Sequence, residues 1–495
     1  MSNESETRIS LAEDKGFSMV LKHKIDKLRN IITVEPLVGF YQLGLFLTKP
    51  ALDSLELEKA CRISLGYNDT VCNAVIGGNH QQFSDQNDSI QVVVSKMHMW
   101  QHVMQSIVPL LLIIFLGTYS DKYKWRRPFF IIPLVGHLIG NIGCMLCVLN
   151  MTTWPLEAQS VFQKVVPSIC GSQVIVSMAT TAYIADVSDV KSRTFRLGVT
   201  TIVINISVLL ANSISGVVFT KIGYNGVLSV SSLMFILGII YASLWIKEYQ
   251  PTFEKNKLAH LFMNMFDPKN AMETITVIFK TKGKSKHLYA MLLFVMIYQS
   301  ALEGENNLLY LYVQNVFHWT VVDYAYFLTA NSAVSVVGNI LGLCVFVKVL
   351  GAGDLVILFM TVLTKLISEI IFGCAKSSVV FYIGTVAGIV TKLYKIIKRS
   401  YATKLVTRED TAKTQSLFSL SEAISPAVAV PLYNLIYVNT LHTFPAAAIF
   451  FSVLLYSICC CLVMWMYCST KIENNNEFIE GEGRDMKTEM EILHM

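Results

Sequence analysis

Gly117-Thr-Tyr-Ser-Asp121-Lys-Tyr-Lys-Trp-Arg126-Arg127-Pro128 decides how this chain is organised. The stretch is short and polar, with a carboxylate and then a pair of arginines, and it lies between two long apolar runs, Met97–Leu116 and Pro128–Leu149. A carboxylate on so short a loop can cap the N-terminus of a neighbouring helix. The arginines can reach an acid at another helix end, and the sequence offers one in Tyr183-Ile-Ala-Asp186-Val-Ser-Asp-Val-Lys-Ser-Arg193-Thr. Asp121, Arg126, Arg127, Asp186 and Arg193 are therefore a candidate ionic gate, a cluster that holds helix ends together and must break before that face can open.

The flanking runs belong to a series. Apolar stretches of near-spanning length lie at Ile31–Leu47, Met97–Leu116, Pro128–Leu149, Val165–Ile184, Leu197–Phe219 and Val227–Ile246. After a polar interval come Leu288–Val313, Val322–Val347, Leu355–Phe372, Val379–Ile397, Leu417–Val438 and Phe444–Cys461. At about 20 residues per span, twelve spans need about 240 residues, which leaves roughly half of the 495 for loops and tails. Composition agrees, with 53% apolar and 15% charged residues, where a soluble domain carries about 25% charge. The same figures exclude a disordered chain, and a net charge of +5 spread along the sequence excludes a nucleic-acid partner. Backbone in lipid must satisfy its own hydrogen bonds, and these runs lack the alternation of a barrel. The expected fold is an all-α polytopic membrane protein of twelve transmembrane helices in two six-helix bundles, with the lipid bilayer as its solvent.

The termini and even-numbered connections hold 30 of the 40 Lys and Arg, and the odd-numbered connections hold 7. Under the positive-inside rule both termini are cytosolic. About 30 polar and charged residues precede the first run, so no cleavable signal is expected. The chain then divides into a cytosolic tail (1–30), a first bundle (31–246), a basic linker (247–287), a second bundle (288–467) and an acidic tail (468–495) expected to be disordered. Within the linker, Asn270–Phe279 reads as a short amphipathic helix on the inner leaflet. The polar loop 48–95 falls outside. It carries two glycosylation acceptors, Asn68-Asp-Thr and Asn87-Asp-Ser, and two cysteines, Cys61 and Cys72, that could form a local disulfide.

The Gly-Asp-Arg-Arg pattern resembles the cytosolic signature of the major facilitator superfamily, and the expected architecture is that fold. The usual Gly before the basic pair is missing, and Lys124-Trp125 lengthens the turn by one residue. Finer features look like the proton-coupled folate transporter family, a solute-carrier family whose relatives also move bacterial wall fragments and other amphipathic anions. These are Val34-Glu-Pro36, the glycosylatable first loop, Ser120-Asp-Lys with Arg126-Arg-Pro, Ala182-Tyr-Ile-Ala-Asp186 with Arg193-Thr-Phe-Arg196, and Lys398-Arg-Ser400 with Lys404-Leu-Val406. The resemblance runs from about Ile32 to Tyr467. It implies a symporter that carries a small organic anion toward the cytosol with the proton as coupling ion and no other cofactor. Arg399 matches the family's helix-10 arginine and Asp121 its inner-loop aspartate. The family's helix-7 histidine is Leu302 here, span 5 lacks a carboxylate, and the Cys that pairs with the first loop is replaced near His318-Trp319. These departures argue against folate itself.

Ionisable groups inside spans are expensive and are functional candidates by default. Lys392, Lys395 and Arg399 are spaced 3 and 4 apart, so on a continuous helix they share a face that would attract a carboxylate or phosphate. The plainer reading is that basic residues at this depth snorkel to headgroups, which suits Lys398 best. Span 7 carries Glu303-Gly-Glu305-Asn-Asn307, read as a locally opened helix, with Glu303 the first choice for the coupling proton and Glu305 beside it; the alternative sets both at the outer headgroups. Lys365 and Glu369, four apart, read as a structural pair, and Glu422 as a partner for a span-10 cation. His98 and His102 could sense outside pH, and His137 reads as a packing residue. A membrane enzyme would need a juxtamembrane catalytic constellation, and none is legible. A non-transporting sensor with a transporter fold remains the alternative.

Overall fold

The structure is a computed structural model that describes residues 33–79, 81–123, 126–188, 190–246, 285–405 and 411–493. The 1–30 tail and the Asn270–Phe279 stretch of the linker lie outside the described residues.

The described residues are helical from end to end. In chain order the helices are α1 (Glu35–Lys59), α2 (Asp69–Ile76), α3 (Ser84–Tyr123), α4 (Arg127–Leu149), α5 (Leu156–Ser160), α6 (Val166–Ile169), α7 (Ser172–Val187) and α8 (Val190–Trp245), the last broken into two helical stretches at Gly223 (φ 62°, ψ −163°). After the linker come α9 (Ser285–Phe317), α10 (Val321–Gly342), α11 (Asp354–Cys374), α12 (Ser378–Ala387), α13 (Tyr394–Leu405), α14 (Thr411–Thr440) and α15 (Ala447–Leu493). By length and composition six described stretches can cross a membrane: Arg127–Leu149, Leu156–Val187, Arg196–Trp245, Val321–Phe346, Asp354–Cys374 and Ala447–Ile472. A pair bent by 41°, Ser378–Ala387 with Thr391–Lys398, makes a seventh. The expected spans 31–47, 97–116, 288–313 and 417–438 fall on α1, α3, α9 and α14, where polar residues interrupt the apolar run.

Helix α4 is apolar on two faces for two reasons. On α4, Phe130, Leu134, Cys144 and Cys147 are buried, while Ile132, Ile139, Ile142 and Leu146 are exposed. A stripe of exposed aliphatic side chains on a helix whose other face is already packed belongs against lipid. Inside, one core cluster joins Tyr41, Phe130, Ile175, Tyr183 and Phe235 of the first half. A second joins Phe294, Tyr298, Leu358, Tyr394 and Tyr456 of the second half. A third, with Cys61, Cys72, Ile90, Tyr310, Trp319, Phe381 and Tyr437, ties the halves together at one end.

That end departs from expectation. The polar loop 48–95 is mostly helix: α1 continues through Pro50 to Lys59, α2 covers Asp69–Ile76, and α3 begins at Ser84. Two charges of the α1 extension, Glu56 and Lys59, are buried against protein, and Lys49, Asp53 and Glu58 are half-buried. Lys59 is fully buried, and its Nζ donates to the Trp154 and Asn150 carbonyls at 2.8 and 3.4 Å, just beyond the C-terminus of α4 where a cation complements the helix dipole. Cys61 and Cys72 are joined as a disulfide with Cα atoms 5.7 Å apart; this is called the disulfide end below. The tail differs too, since α15 carries on as helix to Leu493 instead of ending at Ser469. Extending an existing helix needs no new nucleus, and Glu, Met, Lys and Leu are good helix formers.

Candidate functional site

A cavity of about 90 Å³ opens inside the second half. Glu305, Lys365 and Glu369 line one part of it, and Tyr312, Phe327, Phe372 and Phe381 another. The aromatic wall is continuous, with Phe381 ring centroids 4.3 Å from Phe372 and 5.2 Å from Phe327. The polar part is an acid–base–acid cluster. Lys365 Nζ donates to Glu305 Oε2 at 2.9 Å and to Glu369 Oε1, and it sits over the Tyr456 ring at 5.4 Å. All three side chains are nearly buried, at 12, 12 and 3% exposure for Lys365, Glu305 and Glu369. Glu305 Oε1 is buried without a hydrogen-bond partner among the described residues. Two carboxylates around one ammonium carry an excess negative charge when all three are ionised. In a low-dielectric site such a charge calls for a proton or a cationic ligand.

The sequence reading found the Lys365–Glu369 half of this cluster and took it for neutral structure; Glu305, 60 residues away, makes it incomplete as a pair. Glu303, the first choice from sequence, lies elsewhere on α9, accepting from Gln299 Nε2 at 2.8 Å, while Tyr394 OH donates to Gln299 Oε1 at 2.6 Å. The expected opening of span 7 is absent: α9 runs unbroken through Gly304. The glycine serves packing instead, because a Cβ there would overlap the Tyr433 ring of α14.

The break is in span 10. Helix α12 ends at Ala387, a 3-10 turn covers Thr391–Leu393, and α13 starts at Tyr394. Lys392 sits in that turn, so the expected stripe with Lys395 and Arg399 is interrupted; those two share α13, where Arg399's side chain lies outside the described residues. Lys392 is solvent-accessible and has no hydrogen bond or ion pair to a described residue, and its neighbours Thr391 and Gly388 line the cavity. Lys395 is also exposed. Lys398 is not a snorkelling residue. It is 2% exposed, ion-paired with Glu422 of α14, and 5.3 Å from the Tyr394 ring centre. The break depends on Gly338 of α10, where a Cβ would overlap the Ile389 carbonyl. Gly338→Val should push α10 off the turn that carries Lys392. We expect a loss of about 1–3 kcal/mol or more, read as a lower Tm of the detergent-solubilised protein, with Gly198→Ala, where a Cβ meets open space, as the neutral control.

At the disulfide end the two halves are joined by side-chain amides. Asn87 Nδ2 donates to Asn315 Oδ1 at 2.8 Å, Gln91 bonds Gln314, and Gln314 Nε2 reaches the Val75 carbonyl at 3.1 Å. Asp88 pairs with His442 at 2.7 Å, and Gly78 lies close against the His318 carbonyl, where a Cβ could not fit. Asn87 is thus 1% exposed with its amide spent across the interface, which corrects its reading as a glycan acceptor. Asn68 is exposed at the N-cap of α2, where its Oδ1 accepts from Val71 N and Nδ2 is left outward. Deeper in, His98 Nε2 meets Glu56 Oε2 at 2.7 Å, and His102 Nε2 accepts from Asn307 Nδ2 at 2.6 Å. His137 is a packing residue, 3.0 Å from Tyr41 OH and stacked on Phe235.

The opposite end carries the gate charges. Arg126 Nε meets Asp186 Oδ2 at 2.9 Å, with Arg126 almost fully buried. Arg127 Nε donates to the Ile246 carbonyl at 2.5 Å, where a cation complements the C-terminus of α8. Asp121 is on the last turn of α3 and Arg193 on the first of α8, but their side chains lie outside the described residues. Among the described residues no group of three or more His, Cys, Asp or Glu could hold a metal ion.

Lipid-facing helices in two halves, closed over a buried charge cluster and an internal cavity, define an integral membrane transporter rather than an enzyme. The family model described as Major Facilitator Superfamily matches residues 96–391, and the chain belongs to that superfamily. It is SLC46-like. Over 438 residues it is 22% identical to a probable peptidoglycan muropeptide transporter SLC46 of Drosophila melanogaster, covering 86% of this chain and 83% of that one. Over 462 residues it is 23% identical to a lysosomal proton-coupled steroid conjugate and bile acid symporter, SLC46A3, of Gallus gallus, covering 90% and 95%. Among solved structures it shares the fold of the human organic anion transporter MFSD10 (TM-score 0.59, 13% identity, 87% and 98% covered). It shares the fold also of a POT family transporter bound to a thioalcohol-conjugated peptide (TM-score 0.56, 13% identity, 88% and 96%).

Proposed function

We propose that this chain is a proton-coupled symporter that moves a small organic anion toward the cytosol by alternating access, through twelve spans with both termini cytosolic. The observation that carries the reading is the Glu305–Lys365–Glu369 cluster in the cavity wall. Its excess carboxylate takes the proton when the cavity faces the acidic side and releases it on the other. Lys392, accessible and without an ionic partner among the described residues, anchors the carboxylate or phosphate of the cargo at the helix break. Lys395 of α13 is a second exposed base three residues on, and Tyr312, Phe327 and Phe381 hold the apolar part of an amphipathic anion. The chicken relative is by name a proton-coupled symporter, and the fly relative by name a muropeptide transporter, which supports coupling and cargo class alike. The basic-residue count supports the orientation, with the disulfide end outside. The protein then works in the plasma membrane or the lysosomal membrane.

Uptake by cells displaying the protein at their surface tests this. Labelled folate and labelled muropeptide are offered at pH 5.5 and 7.4, with Lys392→Ala alongside. Acid-stimulated uptake of the muropeptide, with a higher KM in Lys392→Ala, supports the reading; uptake indifferent to pH overturns the coupling. The same cells test the outer face. Asn68→Gln should remove one glycan's mass on a gel, and Asn87→Gln should leave the mass unchanged.

A further inference from the structure

Beyond the central cluster, a second line of titratable side chains crosses from one half to the other. It starts at Glu56 of α1, 1% exposed, whose Oε2 holds His98 Nε2. The ring of His98 meets that of His102 edge-on, centroids 5.9 Å apart, one turn further along α3. His102 Nε2 accepts from Asn307 Nδ2 of α9, and Asn307 Oδ1 accepts from Asn434 Nδ2 of α14 at 2.9 Å. Asn307 stands two residues from Glu305 on the same helix. None of these contacts is used by the reading of the cavity.

The chemistry of the His102–Asn307 bond sets a condition on the closed state. An imidazole nitrogen accepts only when it carries no proton. Once His102 is protonated on Nε2, two donors face each other, so the Asn307 amide must turn its oxygen toward the ring. That withdraws Oδ1 from Asn434, whose Nδ2 keeps the Val430 carbonyl at 2.9 Å. Charged groups face His102 from three elements. They are Lys49 of α1, Lys164 of the π-turn after α5 and His98 of α3 itself. Of the nearby acids, Glu56 is held by His98, and Asp53 lies within electrostatic reach of Lys49, Glu56, Lys164 and His98.

We infer that His102 is a proton-binding residue separate from Glu305, one that ties the closure of the disulfide end to the pH on that side. The closed arrangement holds the neutral ring, and parting of α3 from α9 at the Gln91–Gln314 and Asn87–Asn315 bonds frees Nε2 to take a proton from water. A state that excludes a proton is depleted as pH falls, so acid on the disulfide side opens that side and presents the cavity to its cargo. The inference deepens the function proposed above and rests on its orientation, but not on the role of Glu305.

The test reads the gate and not the cargo. Nitroxides are placed at Gln82→Cys and Thr443→Cys, exposed positions on the two halves at the disulfide end. The full chain is reconstituted in liposomes, with serine at the exposed cysteines 344, 374, 461 and 468. An imidazole of ordinary affinity, titrating at about 6.5 when open and excluded when closed, shifts the open-to-closed ratio about tenfold between pH 7.5 and 5.5. We expect that shift in the parent protein. His102→Gln, which can accept from Asn307 but does not titrate, should abolish it, and Asn307→Ala, which removes the bond that protonation breaks, should shrink it. Glu305→Gln should keep it in full. A parent whose distances ignore pH overturns the inference, and so does His102→Gln or Asn307→Ala with an undiminished shift. If Glu305→Gln leaves pH-driven uptake intact, the central-site reading fails and this one stands.

Discussion

Glu305→Gln is expected to abolish accumulation of cargo driven by a proton gradient while leaving the protein folded and able to exchange cargo. The argument is one of charge. In the parent, Lys365 is shared between Glu305 and Glu369, and the excess carboxylate makes proton binding favourable inside the bundle. Gln keeps the shape and offers its Oε1 to Lys365 at the same place, so the remaining Lys365–Glu369 pair is neutral and has no call for a proton. Coupling between sites is worth about 1–3 kcal/mol, or about 5–150-fold, so accumulation driven by a pH gradient should fall by about that factor. Counterflow at equal pH on both sides needs no net proton and should persist. If accumulation driven by the gradient survives, the proton is carried elsewhere.

Lys365→Ala should have the larger effect on stability. Removing one partner of a buried ionic cluster leaves the others uncompensated, at a cost of about 3–5 kcal/mol. Here two carboxylates, 12 and 3% exposed, would face each other with no cation. Tm should drop by roughly 5–10 °C. The sign of the pH dependence follows. The variant is relieved by protonating a carboxylate, so it should regain stability as pH falls from 8 to 5, and by more than the parent does. Adding Glu305→Gln and Glu369→Gln to Lys365→Ala removes the charges and should restore most of the loss at neutral pH. A Lys365→Ala protein as stable at pH 8 as at pH 5 would show that the cluster is not buried in the folded chain.

The parts of the fold that follow from a local pattern were legible in the sequence, and those that depend on long-range partners were not. The runs that became α4, α8, α10 and α11 are apolar on both faces, and hydropathy needs nothing more. The α1 extension reads as loop because Lys49, Asp53, Glu56, Glu58 and Lys59 look like solvated residues; they make helix because protein, including the Trp154 carbonyl and His98, supplies their partners. The Arg126–Asp186 pair was visible because a short loop leaves its charges few other places to go. Glu305 and Lys365 are 60 residues apart, so no spacing rule joins them, whereas Lys365 and Glu369 are one helical turn apart and were paired at once. Glu303 and Glu305 differ by two positions on a helix, about 200° around its axis, and sequence alone could not say which one faces the cavity. The stripe of Lys392, Lys395 and Arg399 presumes a continuous helix, and neither the break after Ala387, made possible by Gly338 on another helix, nor the burial of Lys398 against Glu422 can be read from spacing.

Proton flux measured with transport gives the most direct test of the central claim. The purified protein in liposomes, loaded with a pH-sensitive dye and held without a membrane potential, is given cargo on the outside at pH 5.5. The account expects the lumen to acidify when cargo is added, at a rate that follows cargo entry, and expects Glu305→Gln to admit cargo by exchange without acidification. Cargo that enters the parent liposomes and leaves the internal pH unmoved would contradict proton coupling and, with it, the role assigned to the Glu305–Lys365–Glu369 cluster.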